Sequence, residues 1–212
     1  MHSIITILAP KPLFINNLLL SGLRSGDNGA FKELVSLYQD KVFNTAIGLV
    51  QDHGMAEDIA QEVFITVYRS VHSFNEKASL STWIYRITVN KCLDHLRAKK
   101  RQKGMGLMSA LFHKDNGEEQ QISSGFYHPG IQLERRESAR YLFEAIETLP
   151  DNQKTAFILS QVEELAQKEI ADIMDISVKA VESLLQRAKV GLRKKLGHIY
   201  DRRKNDNTTS KQ

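Results

Sequence analysis

Residues 178–196, "VKAVESLLQRAKVGLRKKL", carry the side chains in this chain best suited to reading another polymer. At 100° per residue, Val178, Val181, Leu185, Ala188, Leu192 and Leu196 gather on one face of a helix. Lys179, Glu182, Ser183, Gln186, Arg187, Arg193 and Lys194 gather on the other. The apolar face can dock on its own domain. The polar face has the chemistry of base-edge recognition: Glu accepts from cytosine N4, Gln pairs with adenine, and Arg grips guanine with two bonds. Arg193, Lys194 and Lys195 lie further along and suit phosphates, which add affinity without sequence information. The stretch before it, "QKEIADIMDIS", places Ile170, Ile173 and Met174 at helical spacing, breaks near Asp175, and offers Ser177 as an N-cap. This is the pattern of a helix–turn–helix whose second helix enters a major groove. The plain alternative is an amphipathic helix pair with a solvated outer face.

Other chemistries lack their residues. There is no Gly-rich phosphate loop, CxxC pair or HExxH. The seven histidines are scattered without metal-ligand spacing, so neither a metal nor a cofactor is expected. Nothing gathers Ser, His and Asp into a nucleophilic site, and no small-molecule substrate suggests itself. Cys92 is alone, which suits a reducing compartment, and its helical context makes it a small core residue. The chain is not expected to be an enzyme.

A net charge of +4 conceals strong segregation. Arg86 to Lys103 holds seven basic residues against Asp94, and Arg187 to Lys204 holds eight against Asp201. Residues 51–64 contain Asp52, Glu57, Asp58 and Glu62 with no Lys or Arg. Two basic clusters inside helical patterns point to nucleic acid, and the acidic stretch to a second partner. No segment approaches the roughly 20 apolar residues needed to span a bilayer. The opening "MHSIITILAPKPLFINNLLL" lacks a basic n-region and is broken by Pro10 and Pro12. It reads as a disordered or family-specific extension, or as a start set too far upstream, rather than a signal peptide.

Helical periodicity dominates the rest. A first helix beginning after Ser25 or Asp27 directs Phe31, Leu34, Val35, Tyr38, Val42, Phe43, Ala46 and Leu49 toward a core. A second carries Ile59, Val63, Phe64 and Val67, and "LSTWIYRITVNKCLDHLRAKKRQ" forms a third, despite its β-branched Ile84, Ile87, Thr88 and Val89. Residues 103–133, with five of the twelve glycines by residue 130, form a flexible linker. Helices resume over "ERRESARYLFEAIE", and after Leu149-Pro150 Asp151 is placed to cap "NQKTAFILSQVEEL". The fold class is all-α: two small helical domains joined by that linker. The boundaries expected are an extension over 1–23, a first domain over 24–102, the linker, a second domain over 134–198 and a polar tail over 199–212.

Two blocks carry a family resemblance. "AEDIAQEVFITVYRSVHSFNEKASLSTWIYRITVNKCLDHLRAKKR" and "LPDNQKTAFILSQVEELAQKEIADIMDISVKAVESLLQRAKVGLRKKL" resemble, in order and separation, the extracytoplasmic-function group of sigma factors within the sigma-70 family. The resemblance implies a sigma-2-like bundle followed by a sigma-4-like helix–turn–helix. It implies a protein that binds core RNA polymerase, through the clamp coiled coil of the largest subunit and the flap region, and directs initiation at promoter DNA. The likeness to the family's clamp-binding motif carries that contact onto Asp58, Gln61, Glu62 and Phe64. Phe64 by itself is equally readable as a core residue.

By the same resemblance, Phe74, the loop Asn75 to Ser79 with Lys77, and Asn90 correspond to the pocket that traps an unstacked base of the −10 element. Trp83, Tyr85 and Arg86 fall in the segment associated with melting, with Trp83 as readily a core residue. Lys91, Arg97, Lys99, Lys100 and Arg101 suit phosphates. The −35 face falls on Lys179, Glu182, Ser183, Gln186 and Arg187, with Lys194 on the backbone. Many relatives carry a base where Glu182 stands, so the −35 sequence read here is expected to differ. The resemblance further implies an anti-sigma factor and a cytoplasmic protein, held at the inner membrane where that inhibitor is membrane-anchored. The competing function is a stand-alone dimeric helix–turn–helix regulator, which would have no use for the acidic patch beside a melting segment.

Overall fold

The computed structural model describes the backbone of residues 12–112 and 133–209, and the side chains of 18–102 and 140–197. All regular structure among the described residues is helical. Helix α1 spans Pro12–Arg24, α2 Asn28–Val50, α3 His53–Ser70 and α4 Leu80–Phe112, with a 3-10 turn at Val71–Ser73. Helices α5 (Leu133–Glu147), α6 (Asp151–Gln161), α7 (Gln167–Met174) and α8 (Val178–Thr209) follow.

Local chemistry sets these ends. Asp27 accepts from the N–H groups of Gly29 and Ala30 at 2.9 and 3.3 Å, satisfying two orphan donors at the start of α2. Asp52 does the same for α3 through Met55 N–H. Ser177 caps α8, its Oγ accepting from Ala180 N–H at 3.2 Å, and Asp175 ends α7 in the left-handed region at φ 54°. The β-branched run of α4 stays helical because Ile84, Thr88 and Val89 face the core, and Thr88 returns its hydroxyl to the Ile84 carbonyl.

Several expectations need correction. Residues 12–23 are not a formless extension: α1 runs through them and buries Leu19, Leu20 and Leu23. The prolines misled the reading, since Pro12 stands at the first helical position, where a missing N–H costs nothing. Residues 1–11 lie outside the described ones. Asp151 does not cap α6. Pro150 holds the cap position in extended backbone, and the Asp151 carboxylate turns to Lys100 instead. Helix α6 stops at Gln161 rather than reaching Leu165, followed by Glu164 at φ 54°. Helix α4 continues to Phe112 through the start of the expected linker, whose residues 113–132 lie outside the described ones, and α8 continues to Thr209. Val178 leaves the apolar face and is exposed, whereas Val181, Leu185, Ala188 and Leu192 are buried as expected.

The two helical units pack on each other, α7 against α4 and α6 against α2, and their buried residues form one continuous cluster. The contact of α2 with α6 is close at Gly48, where an added Cβ would stand 2.9 Å from Ile158 Cδ1 and 3.0 Å from its Cγ2.

Candidate functional site

Helix α8 presents its polar face as its period requires. Lys179, Glu182, Gln186, Arg187 and Lys194 are exposed and Ser183 is half-buried, its hydroxyl donated to the Lys179 carbonyl. Beneath them Val181, Leu185 and Ala188 seat the helix on α5, α6 and α7. Lys179, Ser183 and Arg187 share a shallow groove with Ser177 and with Asn152, from the first turn of α6. A polar residue one position inside a helix start was the signal that could have found Asn152.

The acidic face lies on α3. Asp58, Gln61 and Glu62 are exposed. Phe64 is 9% exposed, so it belongs to the core while its edge joins Gln61, Glu57, Asp40 and Phe43 along a groove between α2 and α3. The helix α2 contribution, Asp40 and Phe43, was missed because it lies outside the quoted motif. Glu62 is tied back to α4: Lys91 donates to it at 2.9 Å and His95 stands at 3.7 Å. The hydrogen bond from Lys91 holds the Glu62 carboxyl below the usual range.

Between α3 and α4, the 3-10 turn delivers Phe74 into the core, 6% exposed, where its ring stacks on Trp83 at 4.9 Å between centroids. Trp83 is half-buried, packing one face against the core while part of its ring stays exposed. The loop Asn75–Ser79 beyond is mostly exposed, including Lys77. It is shaped by Asn75 Oδ1 accepting from Lys77 N–H, by Glu76 at φ 57°, and by Ser79 capping α4 through Thr82 N–H at 3.0 Å.

Further along α4 the second unit covers what the first exposes. Tyr85 is buried and donates to Glu163 at 2.6 Å. Burial, then the Glu163 carboxyl, drives its phenol pKa upward, and burial likewise raises that of Glu163. Arg86 gives Nε and Nη2 to the carbonyl of Asp172, the former at 2.8 Å. Lys100 meets Asp151 at 2.8 Å, and Gln51 donates to the Phe143 carbonyl at 2.9 Å. Asn90 is exposed but lies in a cleft with Arg86, Asn152, Met174 and Asp175. Arg97 is exposed and pairs with Asp94. Phe74, Trp83, Arg86, Asn90, Lys91, Arg97 and Lys100 therefore fall on or beside α4, and the α8 set adjoins them through Asn152 and Met174, which line both the α8 groove and the Asn90 cleft. Among the described residues no His, Cys, Asp or Glu cluster could hold a metal. Nor is any described helix long and apolar enough to cross a membrane.

Comparison with known proteins agrees with this division. Sigma-70 region 2 matches residues 34–102 and Sigma-70 region 4 matches residues 139–192. The ECF RNA polymerase sigma factor SigW of Bacillus subtilis is 32% identical over 82% of this chain and 92% of its own length. The ECF RNA polymerase sigma-E factor of Escherichia coli K12 is 32% identical over 88% of this chain and 97% of its own. In fold, the chain is similar to CnrH in its complex with the cytosolic domain of CnrY, with a TM-score of 0.63 at 21% identity over 87% of this chain and 98% of the other. It is also similar to sigma factor RpoE of Bartonella quintana bound to the anti-sigma factor NepR, with a TM-score of 0.56 at 20% identity over 79% and 96%. Two helical units in this order, each matched by its own region, mean that this chain belongs to the extracytoplasmic-function sigma factors of the sigma-70 family.

Proposed function

We propose that the chain performs its sigma-factor role through three surfaces. The groove between α2 and α3, with Asp58, Gln61, Glu62 and the edge of Phe64, docks on the clamp coiled coil of the polymerase. There acids meet a basic helix pair around an apolar centre. The loop after Phe74, with Asn90 on α4, receives an unstacked −10 base against the Phe74–Trp83 pair, and Lys77, Arg86, Lys91, Arg97 and Lys100 take phosphates. The outer face of α8 reads the −35 element through Lys179, Glu182, Gln186 and Arg187, with Ser183 and Lys194 supporting. Bond formation belongs to the polymerase, and this chain binds, orients and traps. The chain acts in the cytoplasm. An anti-sigma factor, as in the NepR complex of the Bartonella relative, is the expected inhibitor.

The observation that carries this reading is the exposed face of α8. Its polar side chains stand clear of the protein on a helix whose other face is buried and whose start is capped by Ser177. The packed arrangement is then the polymerase-free one. The centres of a −10 and a −35 element lie about 25 base pairs apart, roughly 85 Å along B-DNA at 3.4 Å per pair. Arg86 and Lys100 cannot reach one element while bonded to the unit that reads the other. In vitro transcription from a promoter library tests the reading. Core enzyme with this chain should initiate at promoters sharing both elements. Unaided footprinting by the isolated chain would instead restore the stand-alone regulator.

A further inference from the structure

The loop from Asn75 to Ser79 has an ordering problem. Its side chains are mostly exposed, it contains no glycine, and Glu76 sits at φ 57°, a left-handed conformation that a residue with a Cβ avoids unless held there. Its ends are fixed by Phe74 in the core and by Ser79 at the start of α4. Its middle has one local tie, Asn75 Oδ1 accepting from Lys77 N–H at 3.2 Å. Among the described residues, the hydrogen bonds that reach the loop from outside its flanking helices come from Arg24. Its Nη2 donates to the Phe74 carbonyl at 2.6 Å and its Nη1 to Glu76 Oε1 at 2.8 Å.

Arg24 is itself firmly placed. It is the last residue of α1, which is anchored on α2 and the 3-10 turn by buried Leu19, Leu20 and Leu23. Gly22 allows that anchoring, because a Cβ there would lie 2.7 Å from Ala30 Cβ. The Arg24 and Glu76 side chains are 36% and 51% exposed, so the ion pair adds little to the stability of the fold. Two bonds in a planar fork, to the carbonyl of Phe74 just before the loop and to the carboxylate of its strained Glu76, fix a shape rather than a core.

We propose that Arg24 is a positioning residue for promoter opening. Reaching from the N-terminal helix, it holds the loop after Phe74 in the form that receives the −10 base, and so sets how strictly that base is read. The inference rests on the assignment of this loop to −10 reading.

The experiment uses holoenzyme assembled from core polymerase and the full chain. It selects from a promoter library randomised at −10 with the −35 element fixed, and from the converse library. Arg24→Ala should broaden the −10 preference and slow open-complex formation roughly tenfold, the scale of a lost charge-assisted bond. The −35 preference and the affinity for core should stay unchanged. Arg24→Lys, which keeps a charge but not the fork, should be intermediate. Glu76→Gln, a surface change without folding risk, should broaden the preference mildly. Should Arg24→Ala lower the melting temperature or core affinity, Arg24→Lys and Glu76→Gln decide the matter. Unchanged −10 preference in both overturns the proposal. Asn75→Ala with Lys77→Ala separates the two levels: if it leaves −10 preference intact, the loop assignment itself is wrong. If it alters the preference while the Arg24 and Glu76 variants do not, the loop reads without Arg24.

Discussion

Tyr85 donates its hydroxyl to Glu163 at 2.6 Å, joining α4 of the first unit to the segment that follows α6 in the second. Tyr85 is buried and Glu163 half-buried, with Lys41 and Thr45 of α2 also facing the carboxyl. Burial raises the Glu163 pKa above its ordinary 4.5 while the units are packed. Parting them restores the ordinary value. Packing therefore takes up a proton: its contribution is complete below about pH 4.5 and is lost as pH rises through the packed pKa. Dyes on cysteines introduced at Glu33 and Lys189 should report closer approach as pH falls toward that range. Native Cys92 will not compete, since burial pushes its thiol up to about 12. Glu163→Gln should flatten the response, and a Glu163→Gln profile that still follows the wild type would assign the proton elsewhere.

Core binding can be tested without disturbing the fold. Asp58→Arg places a cation on an exposed acid of α3 and should weaken the affinity for core polymerase roughly a hundredfold. Glu62→Arg is the poorer probe, because it would also set a cation against Lys91 and His95. Pull-down of core enzyme at normal helical content is the measurement. Unaltered binding would remove Asp58 from the interface.

If Asn90 reads the −10 base as proposed, Asn90→Ala should lower open-complex formation by about 1–3 kcal/mol while leaving −35 recognition alone. On a promoter with a pre-opened bubble most of the defect should remain, since the trapped base is still read. Wild-type opening rates by the variant would exclude Asn90 from the pocket.

Arg187 and Lys194 lie about two turns apart on α8 and should differ in kind. Arg187→Ala should weaken a subset of −35 sequences by about 1–3 kcal/mol. Lys194→Ala should lower binding to all of them and reduce the salt dependence by about one charge. Glu182→Arg should change the preferred base, exchanging an acceptor for a donor. Identical sequence preferences for Arg187→Ala and Lys194→Ala in a randomised −35 selection would mean that this face does not read bases.

What was legible in the sequence was whatever a single helix determines. Asp27 and Ser177 announced helix starts because a side-chain oxygen acts within three residues, and the stripe Ile59, Val63, Val67 was buried because its period allows nothing else. The family motifs carried the order of the two units. Contacts across long separations were not legible. Asp151 could cap its own helix or reach Lys100, and only the packing of the second unit on the first, α6 on α2 and α7 on α4, decides for Lys100. That Tyr85 meets Glu163, far along the chain, no local pattern could show. Arg24 was lost with α1, whose leucines were discounted for the prolines beside them.

Gly48 is buried in the last turn of α2, where glycine still favours the helix less than alanine does. The residue's missing side chain is matched by Ile158 of the other unit, so its benefit exists only when the units are together. A methyl group at this position would favour the helix and press on the Ile158 side chain, which must shift and so loosens the association of the two units. One substitution would then move two quantities in opposite directions, local helix stability upward and domain association downward. Position 48 is thus a dial on availability: a chain with alanine there would part its units more readily, leaving less for core enzyme to undo and more surface for an inhibitor to seize.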